Sequence, residues 1–215
     1  FSTLHIFCSY YFCYLIYKDA KPSSFPEKRM LHTALFFMIF STLGVWCLGP
    51  AVGLMGKTSA FYQIAIQFFL HFQFNGWFLF AVLGLFFKQT KINLDEKKFQ
   101  LFYNSFVVAT VLTLALPVSW SLSNPVFYWV NGIGVTIQFF SFVFFYQLIQ
   151  PHLKTFFAPL SFLEKTVYQF ALYSLVLKII IQLVVIVPAL AQVSHEIRNF
   201  VIGYIHLTML GIITG

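Results

Sequence analysis

Residues 63–88, QIAIQFFLHFQFNGWFLFAVLGLFFK, decide how the rest of the sequence is interpreted. The stretch is apolar enough to cross a bilayer, yet it carries polar residues at four-residue spacing: Gln63, Gln67, His71 and Asn75. On a helix this spacing stacks the polar side chains along one face, one turn above the next. Hydrocarbon tolerates such a stripe only where it faces protein, water or a cofactor, so the sequence predicts a membrane helix that lines an interior.

The composition of the whole chain is that of a polytopic membrane protein. Its 215 residues are 60% hydrophobic and 9% charged, with a mean hydropathy of +0.83, whereas about a quarter of the residues in soluble domains are charged. The net charge of +7 comes mostly from Lys residues between apolar segments, where positive charge sets topology. We therefore expect the lipid bilayer as a partner and no nucleic acid.

Seven apolar segments predict an all-α transmembrane helix bundle that forms a single domain over residues 1–215. These segments are A (1–17), B (31–55), C (60–88), D (99–120), E (126–150), F (162–192) and G (199–215). Pro151 is expected to end segment E, because proline lacks the amide hydrogen of a helix interior. The chain starts with Phe and stops inside an apolar run. It is therefore expected to be a fragment of a longer chain, with five complete spans.

The distribution of basic residues predicts the orientation of the bundle. The loops at residues 18–30, 88–98 and 151–165 hold ten Lys and Arg residues, whereas the alternate loops hold two. Because cytoplasmic loops of membrane proteins are enriched in Lys and Arg, we expect the first set of loops to face the cytoplasm.

Two histidines are expected at similar depths in the membrane. At 1.5 Å per residue, His71 lies about 16 Å along segment C and His206 about 10 Å along segment G, both in the outer half of the bilayer. Two imidazoles at one depth on different helices are what axial ligation of a haem iron requires. The same layout also suits a proton relay or a hydrogen-bonded helix pair. From the residues alone, interhelical hydrogen bonding, metal or haem ligation and a transport pathway all stay open.

Segment F carries a second polar stripe, formed by Ser174, Lys178 and Gln182. An unpaired Lys near the membrane centre costs about 2.5–3.5 kcal/mol on insertion scales, so Lys178 is expected to face the bundle interior. Its candidate partners are a backbone carbonyl, a cofactor carboxylate such as a haem propionate, or a helix outside this chain. Snorkelling or a purely structural contact is the alternative.

Two motifs carry a resemblance to a known superfamily. Residues 203–211, GYIHLTMLG, resemble the His-x-His-Leu-Gly-x-x-Gly helix of nitric oxide reductases and cbb3-type oxidases, members of the haem–copper oxidase subunit I superfamily. Residues 70–73, LHFQ, are similar to the Leu-His-x-Gln of their other low-spin haem ligand helix. The pair of motifs HFQFNGW and GYIHLTMLG also resembles a group of bacterial membrane proteins with an oxidase subunit I-like fold. The resemblance implies that fold, in a bacterial cytoplasmic (inner) membrane.

The resemblance also implies a cofactor and the residues around it. His71 and His206 would bind the iron of haem b. The residues expected to contact the cofactor or its ligands are Gln67, Asn75, Lys178 and Tyr204. Tyr204 stands where the oxidase pattern has its high-spin haem ligand, and the sequence has no His-His pair for a copper or non-haem iron site. The resemblance therefore supports neither of those metals and assigns no catalytic residue, which leaves it open whether the chain is an enzyme.

The function implied by the resemblance is electron transfer or the handling of O2 or NO, with a quinol or a cytochrome as electron donor. The polar stripes on two helices are also typical of a transporter or channel, in which they would line the path and Lys178 would be its charged element. A structural membrane subunit without chemistry is the remaining alternative. The sequence carries no indication of the oligomeric state.

Overall fold

The computed structural model describes residues 2–19, 25–90, 94–122 and 124–213. All regular secondary structure in the described ranges is helical, which confirms the predicted all-α class. Internal contacts divide the chain into two compact units, Phe1–Gln89 and Thr90–Gly215. The expected single domain stays a prediction.

The described part of the first unit consists of four α-helices and one π-helical segment. They are α1 (Ser2–Asp19), α2 (Phe25–Met55), α3 (Ala60–His71), π1 (Phe72–Phe78) and α4 (Leu79–Thr90). The hydroxyl of Ser59 accepts a hydrogen bond from the backbone N–H of Tyr62 at 3.3 Å and so caps the start of α3. Together α3, π1 and α4 form one continuous helical span, Ala60–Thr90.

Small residues let this span pack closely against α2. A Cβ atom added to Gly76 would lie 2.7 Å from Cγ of Phe37, and one added to Gly44 would lie 3.0 Å from the backbone nitrogen of Phe69. Neither position has room for a larger side chain, which is how glycine lets membrane helices approach each other. The Phe37 ring also stacks on Phe72, with centroids 5.3 Å apart. The HFQFNGW motif is therefore held against α2 by close packing.

The second unit contains the remaining helices of the described ranges. They are α5 (Glu96–Leu112), α6 (Ala115–Ser119), α7 (Val126–Phe157), α8 (Phe162–Val184), α9 (Pro188–Glu196), α10 (Arg198–His206) and the π-helical segment π2 (Leu207–Ile213). Helices α5 and α7 pack antiparallel, since Gly134 lies against Leu112 while the Ser141 hydroxyl donates to the Phe102 carbonyl at 3.1 Å. Residues of π2 pack against α8, where Gly211 meets Ser174.

Among the described residues, five helices are long and apolar enough to span a membrane: Pro26–Met55, Ala60–Thr90, Glu96–Ser119, Val126–Phe157 and Phe162–Val184. They correspond to segments B to F, so the five complete spans are confirmed by length and composition. The seven spans are not confirmed. Asn199–Ile212 forms a shorter apolar helix, and α1 is not among the five. The helices fit an integral membrane protein, with apolar faces that suit contact with lipid.

The three loops predicted to face the cytoplasm are all shorter in the structure, since helices extend into residues 18–30, 88–98 and 151–165. The second half of the 18–30 loop is helical, because α2 begins at Phe25. Pro26 is tolerated in the first turn and Glu27 interacts favourably with the positive end of the helix. In the 88–98 loop, α5 begins at Glu96, after Asp95 has capped it by accepting from the backbone N–H of Lys97 at 2.9 Å. Two basic residues used to predict orientation lie outside the described residues: Lys21 and Lys91.

Three prolines affect where the helices of the second unit end or are interrupted. Pro151 does not end its helix, since α7 continues to Phe157, as is common where a membrane helix re-satisfies the freed backbone groups. Segment F was predicted to continue to residue 192, but α8 ends at Val184 and Pro188 opens a separate helix, α9. Segment D is interrupted between α5 and α6. Pro117 has no amide hydrogen to donate to the Thr113 carbonyl, which accepts instead from the N–H of Leu116 at 3.4 Å.

Candidate functional site

His71 is the last residue of α3 and directly precedes π1. Its side chain is buried, with 8% of its surface exposed. The Nδ1 atom of the imidazole lies 3.4 Å from Nδ2 of Asn75, which is half-buried one turn further along. The Oδ1 atom of Asn75 is buried and has no hydrogen-bond partner among the described residues. The structure thus brings together two of the residues that the sequence predicted for the site.

The contact between Asn75 and His71 has two forms that differ in the position of a proton. With Nδ2 facing the ring, the amide donates to Nδ1 and the ring proton sits on Nε2. A half-turn of the amide exchanges Oδ1 and Nδ2 without changing its shape. Nδ1–H of His71 then donates to Oδ1, the ring carries its lone pair on Nε2, and the NH2 group takes the buried position of the oxygen. Metal-bound histidines usually have this arrangement, in which the second nitrogen donates to an oxygen.

The other two polar residues of the first stripe, Gln63 and Gln67, are not buried as His71 is. Gln63 is exposed and its Nε2 donates to the Lys57 carbonyl at 3.1 Å. Gln67 is half-buried. Gln73, which the stripe did not include, donates from Nε2 to the hydroxyl of Ser41 on α2 at 2.8 Å. This hydrogen bond joins π1 to α2. The span that carries His71 therefore also makes a polar contact that holds two helices together.

His206 repeats the local arrangement of His71 in the second unit. It is the last residue of α10 and directly precedes π2. Its Nδ1 atom lies 2.8 Å from the carbonyl oxygen of Ile202. A carbonyl can only accept, so Nδ1 carries the proton and the Nε2 atom of the neutral ring presents a lone pair. The side chain is exposed, which leaves this lone pair directed away from the unit's core.

The packing of α10 and π2 on α8 explains this exposure. Gly211 lies against Ser174 so closely that an added Cβ would be 2.7 Å from the Ser174 Cβ. Thr208 is 1% exposed on the same side. Tyr204 belongs to this face as well, and at about 100° per residue His206 points roughly to the opposite side of the helix. The face that carries Tyr204 is used for packing, and His206 is turned away from it.

Lys178 is fully buried within the second unit, at 0% exposure. Its ammonium donates to Oε1 of Gln182 at 2.8 Å and lies 5.6 Å from the centroid of the Tyr204 ring. Both contacts favour a positive charge, since an amide oxygen accepts its proton and an aromatic face attracts a cation. Of the residues predicted for the site, the structure therefore brings Lys178 and Tyr204 together. Gln182 was part of the predicted stripe but was not assigned a role.

The two candidate iron ligands belong to different units, His71 to Phe1–Gln89 and His206 to Thr90–Gly215. Within the described residues, no group of three or more His, Cys, Asp or Glu side chains is placed to hold a metal ion. Sequence reasoning did not anticipate π1 and π2. A π-helical segment changes the 3.6-residue period too locally to be recognised in an apolar sequence.

Comparisons with protein-family models, with curated proteins and with solved structures find no match to this chain.

Proposed function

We propose that the chain binds haem b through His71 and His206 and acts in electron transfer or in the handling of O2 or NO, as an integral membrane protein of the oxidase subunit I-like type. The observation that carries the proposal is shared by both residues. Each histidine is the last α-helical residue before a π-helical segment, and these are the π-helical segments of the described chain. Such segments are rare and frequently occur at functional sites.

The hydrogen bonds of the two rings support the same conclusion. Nδ1 of His206 donates to the Ile202 carbonyl, and after a half-turn of the Asn75 amide Nδ1 of His71 donates to Oδ1. In this state both imidazoles are neutral and have Nε2 lone pairs, which is the form that binds iron. Haem b held by two histidines supplies one-electron oxidation and reduction.

The remaining predicted contacts have more limited roles in this proposal. Asn75 fixes the ring of His71, while Gln67, one turn before it, is a candidate contact to the cofactor. Lys178 is buried beside the half-buried ring of Tyr204 in the second unit, and its amino group is a candidate partner for a haem propionate. The predicted depth of both histidines in the outer membrane half suits a quinol or a periplasmic cytochrome as electron donor.

The proposal is tested on the purified full-length protein by haem extraction and a reduced-minus-oxidised difference spectrum. We expect extractable haem b and a b-type difference spectrum. A well-folded preparation that contains no haem would contradict the proposal. A spectrum that changes when CO or NO is added would favour gas handling, because the gas must then displace a ligand, whereas an unchanged spectrum would favour electron transfer.

A further inference from the structure

The short helix α9 (Pro188–Glu196) joins the spanning helix α8 to α10 and has no part in the contacts discussed above. Non-helical backbone bounds it at both ends, since Val187 is extended and Ile197 has a ψ of 88°. The chain therefore changes direction before and after α9, and this helix is a separate element that does not extend the α8 span.

The packing of α8 against α10 and π2 fixes the direction of α9. Gly211 meets Ser174. Tyr204, earlier in the chain than Gly211, meets Lys178, which is later in α8 than Ser174. The two helices therefore run antiparallel.

The ends that α9 connects lie at nearly the same level. Beyond Ser174, α8 continues for ten residues, or about 15 Å, and α10 begins thirteen residues, or about 20 Å, before Gly211. These ends differ in level by only about 5 Å, whereas the nine residues of α9 extend about 13 Å. The helix α9 therefore runs across the ends of α8 and α10 and not along them.

A contact with α7 shows the level at which α9 begins. A Cβ atom added to Gly132 would lie 3.8 Å from Cγ2 of Ile186, two residues before α9. Gly132 lies six residues, or about 9 Å, from the start of α7 at Val126. Because α7 is long enough to span the membrane, α9 begins near one membrane surface. This surface is the one opposite the loops that are rich in Lys and Arg.

The sides of α9 differ in polarity. Ala191 and Ser194 are buried, whereas Gln192 and Glu196 are exposed one turn apart. Apolar residues that are between 44% and 51% exposed recur every three or four positions and form what we call the α9 stripe: Val187, Leu190, Val193 and Ile197. At about 100° per residue, the exposed polar pair lies roughly 110° around the helix from the middle of the stripe.

The α9 stripe continues the exposed apolar side of α8. Leu177, Ile180 and Val184 are exposed on α8 at the same three- or four-residue spacing. An exposed apolar side on a spanning helix suits contact with lipid, and the stripe follows it directly in the chain. Lipid is therefore the partner that fits the stripe, and the polar pair fits headgroups and water.

We propose that α9 lies in the plane of the membrane interface, with the α9 stripe in the acyl region and with Gln192 and Glu196 toward the headgroups. An amphipathic helix in this position buries its apolar face about 5–10 Å into the boundary between headgroups and acyl chains. It anchors the connection between α8 and α10 at the membrane surface. Neither His71 nor His206 contributes to α9, so this proposal does not depend on haem binding.

Site-directed spin labelling tests the proposal in phosphatidylcholine vesicles that contain the full-length protein. Cys8 and Cys47 are replaced by Ala, whereas the buried Cys13 is kept, and the protein without an added Cys measures background labelling. Collision with O2, which concentrates in lipid, and with a water-soluble nickel chelate gives the depth of each label. The labels are placed singly at exposed positions: Leu190→Cys and Val193→Cys in the stripe, Gln192→Cys and Glu196→Cys on the polar side, and Ile180→Cys on α8 as a control for a deep position.

We expect the labels at positions 190 and 193 to lie about 5–10 Å below the headgroups. The labels at positions 192 and 196 should contact water, and the label at position 180 should be deeper than all four. A depth that changes steadily from 190 to 196 would show that α9 extends the α8 span, and it would overturn the proposal.

Two other results would also overturn it. Equal collision of all four α9 labels with the nickel chelate would show that the helix lies in water. Low collision rates with both reagents at positions 190 and 193 would show that protein, and not lipid, covers the stripe. Circular dichroism checks that each labelled variant is folded.

Discussion

The ammonium of Lys178 lies 5.6 Å from the centroid of the Tyr204 ring, on the α8 face that packs against α10 and π2. A buried Lys in a membrane helix normally requires a compensating partner. Here the charge is held by an aromatic face and by the amide oxygen of Gln182 at 2.8 Å. Lys178 therefore has two partners within its own unit, the Gln182 amide and the Tyr204 ring. A carboxylate of a bound cofactor would be a third.

The first prediction concerns the hydrogen bond between Lys178 and Gln182. Gln182→Leu removes the acceptor and leaves the buried ammonium with less compensation, so we expect a loss of about 1.5–3 kcal/mol in the free energy of unfolding. In a Lys178→Met background the same substitution has little effect, because no charge is left to satisfy. Denaturant unfolding of the four proteins in a double-mutant cycle measures the coupling. Equal losses in both backgrounds would show that the two side chains do not interact.

A second prediction follows from the contact between Gly211 and Ser174. Gly211→Ala places a methyl group 2.7 Å from the Ser174 Cβ, and such overpacking typically costs about 1–3 kcal/mol. Gly203 is the matched control, since an added Cβ there meets nothing within 4 Å. Gly203→Ala is expected to be neutral or slightly stabilising. Ser174→Gly should restore stability to Gly211→Ala in thermal unfolding, and failure to do so would argue against this contact.

The third prediction concerns the packing of π1 on α2. A Cβ at Gly76 would lie 2.7 Å from Cγ of Phe37, whereas one at Gly53 of α2 meets nothing within 4 Å. We expect Gly76→Ala to lower the melting temperature and Gly53→Ala to leave it nearly unchanged. Phe37→Leu should partly rescue Gly76→Ala by removing ring atoms from the contact. If the two glycine variants melted alike, the close approach at Gly76 would be wrong.

The fourth prediction concerns the role of Asn75 in holding the ring of His71. Asn75→Leu removes the acceptor for Nδ1–H, and loss of such a partner typically lowers affinity by about 10–100-fold. Asn75→Asp keeps an oxygen acceptor and should preserve haem affinity. Gln63→Leu is the control, because Gln63 is exposed and bonds to the Lys57 carbonyl. Haem titration of the apoprotein measures all three variants. Equal affinity in the Leu and Asp variants would exclude this role for Asn75.

Particular residues show how far the sequence could predict the fold. The five spans were recognisable because about 20 apolar residues in a row have few alternatives to a membrane helix. The effects of prolines were not recognisable. Pro151 and Pro188 follow similar apolar runs, yet α7 passes through the first and α8 stops before the second. Neighbouring helices decide whether a freed carbonyl finds another partner, and the sequence does not show those neighbours.

For the site, the four-residue spacing correctly predicted that His71 and Asn75 are neighbours. It could not show that Gln63 turns outward to Lys57, nor that the polar contact between helices is made by Gln73. The exposure of His206 follows from the close approach of Gly211 to Ser174, a tertiary contact that fixes which face of the helix packs. The residue types could therefore be recognised, but not the direction in which each one points.

The central claim is that His71 and His206 bind one haem, and a spectrum of the ligand variants tests it most directly. Reduced-minus-oxidised spectra and haem content are measured for the full-length wild type, His71→Ala, His206→Ala and the control His152→Ala, with folding checked by circular dichroism. We predict a b-type spectrum in the wild type and in His152→Ala, and its loss in each of the other two folded variants. A spectrum that persists unchanged in folded His71→Ala or His206→Ala would contradict the assignment of that histidine as a ligand.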